Sequence, residues 1–317
     1  MFDVITFGSA TQDIFLELPE GKSLCQSSGA KILIDEVQYF TGGGATNVAC
    51  GLANLGFKTA YCGKVGNDLS GEFALADLKR FKVNTSLCLK DKAMPTAVSY
   101  VLSSGKDRTI LIYKGACHFL LESELNLKKI QKAKWFYLAP FYEKTAELFF
   151  GFIDFAKKND IKIAVNPSIE QIEKSEQSFQ EALSKVDILF LNKEEAGILA
   201  KKPESSIEEI AKTIRNFCSG TIVITQGEKG CLVFDGEYFY KAGIYKVVEV
   251  DKTGAGDSFA SGFMGGLLKE NNIEYAIQLA MLNSAKNISQ KGAKIGLLGS
   301  SELKILPKID ITKERAY

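Results

Sequence analysis

Short apolar runs rich in β-branched and aromatic residues recur along this chain, and amphipathic stretches separate them. The runs are Phe2–Phe7, Thr59–Val65, Lys134–Leu138, Lys162–Val165, Asp187–Leu191, Thr221–Thr225 and Cys231–Phe234. Their near-continuous apolarity is that of strands buried on both faces, as in a parallel sheet. Between them, Ile207, Ile210, Ala211, Ile214 and Phe217 fall at helical spacing, as do Ala146, Phe149, Phe150, Ile153 and Ala156. Strands alternating with helices of this length form βαβ units. The expected fold is α/β: a doubly wound, mostly parallel sheet between two helical layers.

Two regions interrupt the alternation. Ile14–Leu18 and Lys31–Tyr39 read as strands without an intervening helix. So do Ala97–Leu102 and Thr109–Tyr113, around the turn Ser103-Ser104-Gly105-Lys106-Asp107. These segments, within about 12–40 and 96–114, are expected to build a small β-sheet lid inserted in one domain spanning 1–317.

Composition then excludes whole chemistries. Lys+Arg total 39 against 38 Asp+Glu, so no general attraction for nucleic acid or an anionic membrane is expected. The single histidine, His118, removes multi-histidine metal sites and reads as a packed or surface residue rather than a catalytic one. Seven cysteines without a Cys-x-x-Cys pair, no leader-like start and no membrane-length apolar run suit a soluble, cytoplasmic protein with reduced thiols.

The sharpest segment is Asp251-Lys252-Thr253-Gly254-Ala255-Gly256-Asp257-Ser258-Phe259, which opens a helix running to about Lys269. Unpaired N–H groups at a helix N-terminus form an anion site. Asp257 would cap that helix, or would take a proton from an attacking hydroxyl while the amides hold a transferring phosphoryl group. The second segment, Thr41-Gly42-Gly43-Gly44-Ala45-Thr46-Asn47, precedes the helix Val48–Leu55; its glycines permit close backbone approach, and Asn47 offers donors and an acceptor. Taken alone, it is better accounted for by a tight turn into the helix.

Neither glycine pair is a dinucleotide fingerprint, because Asn47 and Phe259 occupy the third-glycine positions; this disfavours a nicotinamide dehydrogenase. Gly21-Lys22-Ser23 lacks the upstream glycine of a P-loop, Leu16 standing there. Asn192 and Glu195 follow a strand, where ligands gather in open α/β sheets, and equally form a capping box. Thr225-Gln226-Gly227-Glu228-Lys229-Gly230 is a hairpin turn or a phosphate-side loop. Asp13, just past the first strand, would bind sugar hydroxyls or stand solvated in a loop.

In this order the segments resemble the ribokinase-like, phosphofructokinase-B type carbohydrate kinases, from Phe2 to about Leu297. Asp251–Phe259 resembles the family's C-terminal signature and Gly42–Asn47 its N-terminal one. Asn192 and Glu195 fit its Asn-x-x-Glu element, Thr225–Gly227 its nucleotide loop, and Lys291-Gly292-Ala293 its closing turn. The resemblance implies a three-layer α/β/α fold with a lid, and ATP-dependent phosphorylation of a hydroxyl on a ribose- or fructose-like sugar. It implies Asp257 as catalytic base and Gly254, Ala255 and Gly256 as anion hole. Asp13, Gly43 and Asn47 would hold the acceptor, and Thr225 and Gly227 would lie along the nucleotide. Asn192 and Glu195 would organise Mg²⁺ and the phosphates through water, and Asp251 and Thr253 match positions that bind a monovalent cation such as K⁺ in some members.

Departures fall on the acceptor side. Thr11 stands where many members have Asn, Gly44 where ribokinases often have Lys, and Ala139-Pro140-Phe141 where several carry an acidic sugar contact. Met281 replaces a residue often polar near the adenine. A nucleoside kinase, with Tyr100 or Phe40 lining a base slot, is the alternative, and a non-catalytic sugar- or nucleotide-binding protein is a further one. Open lid edges leave room for a homodimer.

Overall fold

The computed structural model describes residues 1–19, 31–104, 107–174, 176–304 and 306–317. Gly21-Lys22-Ser23, Cys25 and the Gly105-Lys106 turn lie outside the described residues.

Fourteen strands are described: β1 Phe2–Phe7, β2 Thr11–Glu17, β3 Glu36–Gly42, β4 Thr59–Gly66, β5 Asn84–Asp91, β6 Ala97–Ser104, β7 Asp107–Tyr113, β8 Ala133–Leu138, β9 Lys162–Val165, β10 Ile188–Asn192, β11 Thr221–Thr225, β12 Cys231–Phe234, β13 Tyr238–Ala242 and β14 Ile311–Arg315. Ten form one sheet in the order β14-β13-β12-β11-β10-β9-β8-β1-β4-β5. From β11 to β5 every pairing is parallel. The chain winds outward from β1 to β5, then returns to β8 and winds the other way, so β1 flanks the topological switch point where such sheets bind ligands.

The alternation along β8 shows why these strands lie in the middle. Phe136 and Leu138 enter one core with Phe7, Phe152 and Ile163, while Tyr137 points to the opposite core with Phe190 and Phe263. All these side chains are buried, and each large one contributes about 1.5–3 kcal/mol by leaving water. Helices therefore cover both faces, which gives the expected three layers. Two of them, Ala255–Glu270 and Ile273–Ile288, approach closely because Gly262 and Gly266 face Ala280 and Ala276.

The other four strands form the lid sheet, in the order β3-β2-β6-β7. Their boundaries differ from the sequence expectation. The strand expected at Lys31–Tyr39 is displaced to Glu36–Gly42, because pairing with β2 runs on to Thr11 opposite Gly42. The following helix accordingly begins at Gly44 rather than Val48, and the Thr46 hydroxyl bonds back to the Gly42 carbonyl at 2.6 Å. Asp13 belongs to β2 and is buried, so it is not a solvated loop acid.

On the far side, β12 pairs antiparallel with β11, unlike the parallel strand expected of Cys231–Phe234. Only a 3₁₀ turn, Gly227–Lys229, separates the two, too short for a crossover. The strands β5, β13 and β14 were not anticipated. Their burial is patchy, and β14 is largely exposed, so they lack the apolar runs that mark the central strands. His118 is buried and packs edge-on against the Tyr142 ring at 5.2 Å.

Candidate active site

Two helix N-termini converge beside the switch point. The helix Gly44–Asn54 is entered through Gly43, whose φ of 98° and close approach to the Ser9 carbonyl exclude a side chain. The helix Ala255–Glu270 is entered through Gly254, at φ 81° and packed against Ala293. The two helices pack against each other where Gly51 faces Ser261; a Cβ at Gly51 would lie 2.2 Å from the Ser261 hydroxyl. This contact sets the first turns side by side. Asn47 Nδ2 donates to Asp257 Oδ2 at 2.8 Å.

Burial pushes the Asp257 carboxyl up to about 6, although part of its surface reaches solvent. The Asn47 hydrogen bond and the Lys294 charge oppose the shift, and Asp13 adds to it. Asn47 is itself buried, and its Oδ1 has no hydrogen-bond partner. An unsatisfied buried acceptor beside a carboxylate of raised pKa suits a ligand hydroxyl. Asp13 accepts from the Thr11 hydroxyl at 3.0 Å, and burial raises its carboxyl as well. It lies close beneath Gly42, where a Cβ would come within 2.1 Å of its Oδ2.

The other side of the Ala255–Glu270 N-terminus opens into a cavity of about 660 Å³. Thr225, Gly227 and Gly230 line it from the β11–β12 turn, and Ala255, Gly256 and Phe259 from the helix. Val247, Met281 and Ile288 make much of its wall apolar. The turn is thus both a hairpin and a cavity wall. Its size and polarity suit a heteroaromatic ligand, with a phosphate chain reaching the helix end. Of the expected anion-hole amides, that of Ala255 already donates to the Lys252 carbonyl at 3.1 Å.

Asn192 and Glu195 form the anticipated capping box. The Glu195 amide donates to Asn192 Oδ1, and the Asn192 amide to Glu195 Oε2, both at 2.8 Å. They are not part of the cavity wall. Burial nevertheless raises the Glu195 carboxyl, and the phenol of buried Tyr137 feels the charges of both Asp257 and Glu195. Asp251 and Thr253 lie at the end of the loop that leads from β13 to Gly254. The carboxyl of Asp251 is held below its ordinary value despite burial, by Thr253, the Gly292 amide and Arg108.

Two charged residues near the site carry little or no sequence signal. Lys294 is buried, donating to the Thr41 hydroxyl at 2.8 Å and pairing with Asp77 at 3.7 Å. Arg108 arrives from the lid strand β7. Proximity to Lys291-Gly292-Ala293 was the one clue to Lys294, and nothing in its neighbourhood marked Arg108.

A family model for "pfkB family carbohydrate kinase" matches residues 1–298. The chain belongs to the pfkB family of carbohydrate kinases. Fructokinase-2 of Oryza sativa subsp. japonica is 26% identical over 322 residues, covering 98% of this chain and 93% of that protein. A ribokinase of Lactococcus lactis subsp. lactis is 29% identical over 301 residues, covering 93% and 95%. The structure of Arabidopsis thaliana ribokinase complexed with ribose and ATP superimposes with a TM-score of 0.80, at 21% identity over 95% of this chain and 97% of that one. The family and the fold expected from the motif order are therefore borne out. Among the described residues no helix is long and apolar enough to cross a membrane.

Proposed function

We propose that this pfkB-family chain transfers the γ-phosphoryl group of ATP to a hydroxyl of a small sugar. The observation that carries the reading is the Asn47–Asp257 pair at the first turn of a helix whose N-terminus opens on the 660 Å³ cavity. The acceptor lies toward Asp13, Gly43 and Asn47, with its reacting hydroxyl donating to Asp257. As the hydroxyl oxygen bonds to the γ-phosphorus, its proton passes to Asp257, the bond to the bridging oxygen breaks and ADP leaves. The amides of Gly254, Gly256 and Asp257 face the charge that spreads over the phosphoryl oxygens. Thr225 and Gly227 border the nucleotide.

No cluster of three or more His, Cys, Asp or Glu suited to a metal occurs among the described residues. Mg²⁺ needs no such cluster, since it binds through one or two carboxylates, water and phosphates. Glu195, joined to Asn192 in the capping box, would hold it through water, and a bound Mg²⁺ would supply charge neutralisation on the phosphates.

The chain acts as one kinase domain over 1–317, since the residues invoked run from Asp13 to Asp257. Six described cysteines are free, which suits the reducing cytoplasm. Among the described residues the lid sheet ends at β3 and β7 without further pairing, and it exposes Ile110, Leu111, Ile112 and Tyr39, a surface for a second copy of the chain.

The test is an acceptor screen with ATP and Mg²⁺, reading ADP with ribose, fructose, adenosine and cytidine. Turnover with a sugar and its loss in Asp257→Asn support the reading, whereas full turnover by that variant overturns the role of Asp257. Preference for a nucleoside would reassign the acceptor.

A further inference from the structure

Asp251 already accepts four hydrogen bonds, one of them from a cationic side chain. Its Oδ1 accepts from the Thr253 amide at 3.0 Å, the Thr253 hydroxyl at 2.7 Å and Arg108 Nη1 at 3.0 Å. Its Oδ2 accepts from the Gly292 amide at 3.0 Å. Three donors, one of them a guanidinium, converge on Oδ1 and already exceed its two lone-pair sites, while Oδ2 holds the Gly292 amide. The Thr253 hydroxyl, having donated to Asp251, accepts from Arg108 Nη2 at 2.7 Å. The network is closed around the guanidinium. The residues that the family resemblance assigns to a monovalent cation therefore do not fit one here, because a side-chain cation already stands on them.

That cation comes from the lid. Arg108 lies on β7 opposite Ser103 of β6, and its guanidinium sits 5.7 Å from the centre of the Phe15 ring on β2. Other contacts join the same surfaces. Phe40 of β3 packs on Gly292, and Lys291 lies 3.9 Å from Glu17 of β2. The lid is thus seated on the Lys291-Gly292-Ala293 turn, whose Ala293 packs against Gly254.

We propose that Arg108 takes the place of the monovalent cation: its guanidinium, delivered when the lid is down, supplies the positive charge that holds the Asp251–Gly254 loop and the anion hole behind it. Catalysis by this chain is then independent of K⁺, and lid seating is coupled to assembly of the anion hole. A guanidinium is always charged and matches a carboxylate geometrically, so it performs this task without an ion from solution. Arg108 is a positioning residue in this scheme. The inference rests on the kinase reading above for its activity arm only.

The experiment compares wild type with Arg108→Ala in a buffer whose monovalent cation is choline, then after adding KCl or low guanidinium chloride. It reads both ADP formation and the melting midpoint. The expected result is a wild-type rate and midpoint indifferent to K⁺. Arg108→Ala should lose roughly 10²-fold in rate, as for loss of a positioned electrostatic group. K⁺ or guanidinium should restore part of that rate and raise the variant's midpoint, because either ion binds the folded state. Activation or stabilisation of wild type by K⁺ overturns the proposal, as does an undiminished variant. A loss that neither ion repairs, in a variant that melts like wild type, assigns Arg108 to the phosphates directly and also overturns it. Should wild type turn over no acceptor, the kinase reading fails by itself, and the midpoints alone decide: K⁺ must stabilise only the variant.

Discussion

Asn47 donates a 2.8 Å hydrogen bond to Asp257 across a separation of 210 residues, joining the first turns of two helices that enter the site from different parts of the chain. The bond favours the charged carboxylate, whereas burial favours the neutral acid, and burial prevails by lifting the group to about 6. A base must be ionised in the free enzyme, so kcat/KM should be level above about pH 6 and fall roughly tenfold per unit below it. Asn47→Ala removes a contribution that lowers the pKa, so its acid limb should move to higher pH. A limb near pH 4 in wild type would assign the base to a solvated group instead.

The two glycines before Asp257 separate a backbone role from a spatial one. At Gly254, φ is 81° and an added Cβ would lie 2.6 Å from the Ala293 Cβ, so Gly254→Ala should lower the melting temperature and the activity together. At Gly256, an added Cβ meets nothing within 4 Å, and the position is helical. Gly256→Ala should fold at least as stably as wild type, given alanine's higher helix propensity. Its methyl group stands on the cavity wall, however, and should raise the KM for ATP. Loss of stability in Gly256→Ala without a change in KM would remove Gly256 from the phosphate path.

The central strands and the order of the motifs were legible because burial on both faces leaves long apolar runs, and because helix entries need particular residues such as Gly43 and Gly254. The edge strand β14 was not, since an exposed antiparallel edge imposes little on its sequence. Asp13 could be found but not placed: nothing local distinguishes a loop acid from one drawn into a lid strand by pairing seven residues long. Arg108 was invisible for a related reason. Its partner Asp251 is 143 residues away, and the strand that carries it has no motif of its own.

Glu195 serves the capping box and, in the proposed function, Mg²⁺; substitution can divide these roles. Glutamine also completes a capping box, so Glu195→Gln should melt like wild type while requiring more Mg²⁺ for half-maximal rate. Asn192→Ala removes the side chain that accepts the Glu195 amide and should cost about 1 kcal/mol of stability. A Glu195→Gln enzyme with unchanged Mg²⁺ dependence would reduce Glu195 to its structural part.

His118 predicts a pH dependence of stability that is separate from activity. Burial, then the neighbouring Lys114 charge, lowers its pKa from 6.5 to about 4, against smaller opposing effects of Glu143 and Glu170. Between those values the unfolded chain binds the proton and the native chain does not, so stability contributed by neutral His118 is lost as pH falls from 6.5 toward 4. The slope approaches about 1.4 kcal/mol per pH unit, for a total of up to about 3 kcal/mol. Asp257, Asp13 and Glu195 act in the opposite sense, because a carboxyl raised in the native state gains stability on acidification. Absolute melting curves therefore mix the signs, whereas the difference between wild type and His118→Gln cancels the carboxyls. Urea unfolding of both proteins should show that difference constant above pH 7 and shifting in favour of the variant below 6.5. A difference independent of pH would mean that His118 binds its proton equally in the folded and unfolded chain, so that burial against Tyr142 does not shift it.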